Sequence, residues 1–141
     1  MEDMLTIQEM SRRSGFSEAT LRYYERIGLL GAVDRDSASG HRRYDGGVVE
    51  RVEALACLRS SGMSIDGMRT YVRLLGEGEA AGELRDLFAE QAGHLAAELD
   101  RLRVRLEYLQ LKAQLWDARS RDDTAAEAET VREVQEVVRA F

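Results

Sequence analysis

The chain has 141 residues, 44% hydrophobic and 33% charged, a balance that belongs to folded soluble proteins and excludes disorder over the whole length. Its formal net charge of −6 repels phosphate and, averaged over the molecule, argues against a nucleic-acid partner. The single cysteine, Cys57, excludes an intrachain disulfide and a cysteine-rich metal cage; with no charged start leading into an apolar run and no window of ~18 apolar residues, a cytoplasmic chain without a membrane span is expected.

The charge is unevenly spread. Residues 1 to 75 carry 11 Arg against 11 acids, and residues 76 to 141 carry 9 Arg and Lys against 15 acids, so the acidity belongs to the second half. Residues 12 to 43 hold 7 Arg against 4 acids, a local excess of +3.

The first half reads as short helices with their own punctuation. Thr6 and Glu9 form a T-x-x-E capping box before "MSRRSG", where Gly15 stops the helix. Ser17 caps a second helix, "EATLRYYERIG", stopped by Gly28. Only Gly15-Phe16-Ser17 separate the two, the spacing of a helix-turn-helix. Its second helix is the one such a motif offers to a major groove, with Leu21 and Ile27 toward the core, Phe16 closing the turn, and Thr20, Arg22, Tyr23 and Arg26 outward. Arginine forks match guanine edges or phosphate, and a tyrosine hydroxyl donates to phosphate. On residue type alone, solvated arginines and core-flanking tyrosines are the readier explanation, because such pairs on helices are usually structural.

Residues 31 to 47, "GAVDRDSASGHRRYDGG", are polar and glycine-bearing, and Gly40-His41-Arg42-Arg43-Tyr44 reads as a tight turn entering a short strand. A basic hairpin directly after such a helix is a wing. A third helix is expected from Val48 to Ser61, with Val48, Val52, Leu55 and Ala56 on one side and Gly62 as its stop. Ser64 then caps a fourth, with Ile65, Met68, Val72 and Leu75 at helical spacing.

In the second half Phe88, Ala92, Leu95, Leu99, Leu102, Leu106, Leu109, Ala113 and Trp116 alternate at spacings of 4 and 3, an unbroken heptad seam. At ~1.5 Å per residue it runs about 42 Å, too long for the upstream helices to cover, so a second copy of the chain is the expected mate. Thr124 with Glu127 reads as a further capping box, opening a short amphipathic helix with Val131, Val134, Val138 and Phe141 on one side, expected to dock back on the dimer.

"TIQEMSRRSGFSEATLRYYERIGLL", "GHRRYD" and "CLRSSGMSIDGMRTYVRLL" together resemble the winged helix-turn-helix of the MerR transcription regulators, over roughly the first half of the chain. One departure is the absence of proline after the G-L-L, where Gly31-Ala32-Val33 stand. The resemblance implies a mainly α fold: a winged helix-turn-helix DNA-binding domain over residues 1–76, a linker and coiled-coil dimerisation helix over 77–119 forming an antiparallel coiled coil, and a tail with the short helix over 120–141. It implies that each protomer of a homodimer grips DNA through Arg22, Tyr23, Arg42 and Tyr44. With their neighbours, the candidate DNA-contacting set is Ser17, Thr20, Arg22, Tyr23, Arg26, His41, Arg42, Arg43 and Tyr44. By the same resemblance the dimer binds a pseudo-palindromic promoter and distorts an overlong spacer so that RNA polymerase engages both promoter elements.

A ligand sensor is harder to find. About 20 residues follow the seam, too few for a drug-binding domain of their own. Cys57, His41 and His94 lie on three different elements, which argues against a metal site, and one thiol cannot hold an iron–sulfur cluster; no cofactor is expected. Cys57 itself reads two ways. A lone cysteine in "ALACLRSSG" is commonly a small buried hydrophobe, and the helix C-terminus and Glu53 four residues before it disfavour a thiolate. Against this, "CLRSSGMSIDGMRTYVRLLGEG" is similar to the MerR branch that answers aldehydes and thiol stress (AdhR- and NmlR-like), which implies a sensing cysteine at Cys57. A thiol enzyme would need a base that neither histidine is placed to supply, and a protein-only coiled-coil adaptor would leave Arg42, Arg43 and the paired tyrosines idle. A DNA-binding regulator, not an enzyme, accounts for all these features.

Overall fold

The computed structural model describes residues 4–141. It divides into two compact units, one ending at Leu87 and the other Phe88–Phe141.

In the first unit, α1 (Ile7–Ser14) begins at the expected capping box, with the Thr6 hydroxyl accepting from the Glu9 N–H and the Glu9 carboxylate from the Thr6 N–H. These bonds favour the ionised Glu9, whose carboxyl is held below the usual carboxylate range chiefly by the backbone bond from Thr6. Gly15 then takes a φ of 81°, a left-handed cap that returns the chain to Ser17, the N-cap of α2 (Glu18–Arg26). The helix-turn-helix therefore follows from local capping chemistry at three adjacent residues.

Strands β1 (Asp34–Arg35) and β2 (Arg42–Arg43) form the antiparallel wing, with Asp34 opposite Arg43 and Arg35 opposite Arg42. The base of the wing is tied to the start of the chain by the reciprocal Leu5 and Tyr44 backbone bonds, 2.9 and 2.8 Å. Helix α3 (Gly46–Ser60) starts two residues before Val48, because the Asp45 carboxylate accepts from the Val48 N–H at 2.9 Å and caps it there. Helix α4 (Ile65–Leu75) has the expected Ser64 cap, but it buries Leu74 and leaves Leu75 exposed.

The core of this unit gathers Met10, Phe16, Leu21, Tyr24, Leu29, Tyr44, Val52, Leu55 and Met68. Phe16 meets Tyr24 edge-on, ring centres 5.1 Å apart. Leu87 packs against the same cluster, so the compact unit runs past residue 76 and takes in the start of the long helix.

Helix α5 (Ala81–Ser120) is 40 residues long, yet no helix among the described residues is long and apolar enough to cross a membrane. In the second unit, Asp122 at a φ of 54° reverses the chain into α6 (Thr124–Val138). The expected Thr124–Glu127 capping box is not formed. Asp123 is the cap, accepting from the Ala126 N–H at 3.1 Å, while Glu127 accepts from Arg119 Nε at 2.9 Å. The buried face of α6 is also rotated from the expected one: Thr130 and Val137 are buried, Val131 and Val134 half-buried, and Val138 and Phe141 exposed. Thr130 tolerates burial because its hydroxyl donates to the Ala126 carbonyl at 2.8 Å.

Across from these residues α5 buries Leu111, Leu115 and Ala118, and Tyr108 meets Phe141 edge-on at 5.4 Å. These α5 positions form a second stripe with the same spacings of 4 and 3, distinct from the longer seam. The longer seam stays open, with Leu106 at 56% and Leu109 at 64% exposure.

The buried Tyr44 ring shows 0% exposure, and among the described residues its hydroxyl has no hydrogen-bond partner. Its burial pushes the phenol above its ordinary pKa. A buried unpaired hydroxyl opposes folding, so Tyr44→Phe should raise the unfolding free energy by about 1 kcal/mol in urea denaturation; a loss of stability would reveal a partner for the hydroxyl.

Candidate nucleic-acid interface

Burial of Leu21 and Tyr24 turns the opposite face of α2 outward, and with it Arg22, Tyr23 and Arg26. The adjacent tyrosines are thereby divided: Tyr24 lies in the core, whereas Tyr23 is exposed with the Arg26 guanidinium 5.4 Å from its ring centre. Arg22 is held only loosely by Glu18, at 3.7 Å, with both side chains nearly half exposed. Such a surface pair contributes little and leaves the guanidinium available. Ser17 and Thr20 are engaged with each other, since the Ser17 hydroxyl accepts from the Thr20 N–H at 3.1 Å and donates to the Thr20 hydroxyl at 2.9 Å.

The wing owes its shape to Asp36. Its backbone pairs with His41 and Gly40 at 2.8 Å each, and its carboxylate accepts from the Ala38 and Ser39 N–H groups at 2.8 and 3.1 Å. Those bonds hold the Asp36 carboxyl below the usual carboxylate range, the bond from Ser39 first, with Arg43 adding a smaller pull from 3.5 Å. Gly40, at a φ of 73°, closes the turn where a side chain would be strained.

Between the wing, α2 and the start of α1 lies a cleft of about 400 Å³, lined by Thr6 and Gln8, by Arg22, and by Arg35, His41, Arg42 and Arg43. Four arginines, one from α2 and three from the two strands of the wing, thus converge on one concave surface, the arrangement that attracts a phosphate backbone. Arg42 is not free within it: its Nε donates to Glu25 Oε1 at 2.7 Å, and Arg35 stands 3.8 Å from the same carboxylate. A second depression flanks α2, where Thr20 and Tyr23 face Arg59, Met63 and Ser64.

The structure thus brings Arg22, His41, Arg42 and Arg43 together in the cleft, while Tyr23, with Arg26 over its ring, lies at the second depression. Tyr44 does not belong to this surface. Its fully buried ring cannot reach a sugar or a phosphate, because it forms the floor of the core under the wing. Glu25, Arg35 and Arg59 went unnoticed in the sequence. Glu25 and Arg42 are 17 positions apart, beyond any helical or strand spacing that could have paired them. Cys57 lies outside the cleft. It is exposed, which departs from the first of its two readings, a small buried hydrophobe, because it falls on the side of α3 opposite Val52 and Leu55. It lines a shallow depression with Arg13, Ser14, Glu53 and Ala56, where Arg13 Nε donates to Glu53 Oε1 at 2.5 Å. Among the described residues no cluster of three or more metal-ligating side chains occurs.

This winged helix-turn-helix corresponds to a known family: residues 5–75 match the model of the MerR HTH family regulatory proteins. The chain belongs to the MerR family. Members of that family are DNA-binding transcription factors that bind promoter DNA, and are not enzymes. The chain is 38% identical over 81 residues to the HTH-type transcriptional regulator AdhR of Bacillus subtilis strain 168, a match spanning 57% of each chain. Among solved structures it is similar to HiNmlR, a MerR family regulator lacking the sensor domain and bound to promoter DNA, at a TM-score of 0.68 and 25% identity over 95% of both chains. It is likewise similar to a MerR family regulator from Listeria monocytogenes, at a TM-score of 0.69 and 30% identity over 93% of this chain and 96% of that one.

On the exposed face of α2, Arg22 is a cation open to solution, held only loosely by Glu18. Arg22→Ala should weaken binding to a duplex that the wild-type chain selects from a random-sequence pool by about 1–3 kcal/mol, and relax its sequence preference. Unchanged affinity in a titration of that duplex would remove α2 from the interface.

Proposed function

We propose that this chain acts as a homodimer on a pseudo-palindromic promoter, with α2 reading the major groove and the wing holding the flanking backbone through His41, Arg43 and Arg35. The observation that carries this reading is the convergence of Arg22 with the wing arginines on one cleft. Thr20, Tyr23 and Arg26 extend the same surface along α2, and Ser17 and Arg42 shape it from behind through the Thr20 and Glu25 contacts. The chain alters promoter geometry so that RNA polymerase engages both promoter elements. That step rests on the resemblance to the family.

The open seam of α5 supports the dimer. Phe88, Leu95, Leu99, Leu102, Leu106, Leu109 and Trp116 stand exposed along one side of the helix, with Ala92 and Ala113 between them, while α6 covers the other stripe. A row of large apolar side chains over several helical turns gains most by meeting its own copy, in an antiparallel coiled coil.

Cys57 supports a sensor for an electrophile or oxidant. Its thiol is exposed, Arg13 neutralises the carboxylate of Glu53 beside it, and the depression it lines ends against Ser14, the last residue of α1. An adduct there adds bulk where α1 and α3 meet, just before the turn that leads into α2. The reading requires that the adduct shift this junction, and through it the setting of α2.

Two measurements test these proposals. Replacing both Leu99 and Leu102 with Asp sets charges into the seam, which costs several kcal/mol without a partner, so sedimentation should show monomers; a persistent dimer would move the interface elsewhere. Cys57→Ser should fold and bind DNA as before yet fail to change reporter transcription on adding an aldehyde or oxidant, with mass spectrometry finding the adduct only on the wild type. Normal induction in the serine variant would take Cys57 out of the mechanism and favour a non-covalent ligand.

A further inference from the structure

The wing contains an arrangement that ought to be unfavourable. Arg35 and Arg42 are directly opposed on the paired strands, so two guanidinium groups share one face of a two-residue ladder. Like charges in that position repel and destabilise a hairpin. The relief comes from another element: Glu25 of α2 reaches both, at 2.7 Å to Arg42 and 3.8 Å to Arg35. Arg42 and Glu25 keep only 23% and 22% of their side-chain surface exposed, the least of any ion pair among the described residues, so solvent screens this contact least. Glu25 is also an anion on the helix that faces DNA, where an uncompensated carboxylate would repel phosphate.

We propose that Glu25 is a specificity-determining residue that serves as an internal counter-ion, keeping Arg42 from gripping arbitrary phosphates while setting the angle of the wing on α2. The inference rests on the reading of α2 and the wing as the DNA-facing surface. Sequence-independent affinity comes from cations free to neutralise phosphates. Arg22 and Arg43, held at 3.7 and 3.5 Å by more exposed carboxylates, are such cations. Arg42 is not, because any phosphate it takes must displace Glu25. Non-specific contacts at varying registers do not compensate that exchange, whereas a cognate site that seats α2 in the groove holds the wing where the bonds can be reorganised. Glu25 therefore lowers binding to all sequences and lowers it most for the wrong ones.

The test uses the full chain, with the duplex that the wild type selects from a random pool and a scrambled duplex of the same composition. Titrations run over a series of salt concentrations. In Glu25→Gln the scrambled duplex should bind more tightly, with a salt slope steeper by about 0.9 for the release of Arg42, and the affinity ratio of selected to scrambled duplex should fall at least about threefold. Glu25→Asp, which retains the charge, should keep more of the ratio than Gln. In an Arg35→Ala, Arg42→Ala background the Gln substitution should no longer change the slope, which separates release of Arg42 from mere removal of a negative charge. Should Glu25→Gln fail to fold, Arg42→Gln gives an independent reading: the slope on the scrambled duplex should stay the same because that arginine is already engaged. An unchanged slope and ratio in Glu25→Gln, the same steepening without the arginines, or a slope shallower by about 0.9 in Arg42→Gln would each overturn the proposal. None of these touches the assignment of the surface itself, which stands or falls with Arg22→Ala on the selected duplex.

Discussion

The burial of one side of α2 is the constraint on which the basic surface of the first unit depends. Leu21 and Tyr24 lie three residues apart and both enter the core, the first fully buried and the second locked edge-on against Phe16. A helix that commits those two positions has no freedom over where Arg22, Tyr23 and Arg26 point. The same packing decides the approach of α1, because Phe16 closes the turn while Ser11 donates its hydroxyl to the Phe16 carbonyl at 2.6 Å. The hydrophobic effect thus supplies aim, and the polar face inherits it.

The wing is positioned by a different kind of force. A ladder of two residues on each strand is too short to hold itself in water. It is supported from three sides: Asp36 organises its turn, the Leu5–Tyr44 backbone bonds fasten its base, and Glu25 binds its arginines to α2. These are polar contacts at partly exposed sites, weaker singly than core packing.

Helix α5 carries two apolar stripes with the same 4 and 3 spacing, and this double pattern explains its two fates within the second unit. The stripe through Leu111, Leu115 and Ala118 is satisfied by α6, brought back by the reversal at Asp122 and held by the Asp123 cap. The stripe from Leu95 to Trp116 stays exposed. Of the two apolar sides of this helix, separated by charge, α6 covers one.

Caps, turns and heptads were legible in the sequence because each depends on residues within a few positions of one another. Thr6 with Glu9, Ser17, Ser64, Gly15 and the seam could be read from spacing alone, and together with "LRYYERIGLL" and "GHRRYD" they carried both the fold and the family. The failures have the same explanation in reverse. Thr124 looked like a cap because it stands three residues before Glu127, but Asp123 competes for the same N–H groups and Glu127 is drawn away to Arg119. Tyr44 looked like a DNA contact because it follows two arginines; the strand alternation and its pairing with Leu5 turned it into the core. Cys57 was ambiguous because its neighbours in sequence are apolar, while its exposure depends on which side of α3 faces Met10 and Leu21. The engagement of Arg42 by Glu25 could be decided only by the tertiary structure, since electrostatic pairing acts through space and the chain between them carries no period that would reveal it.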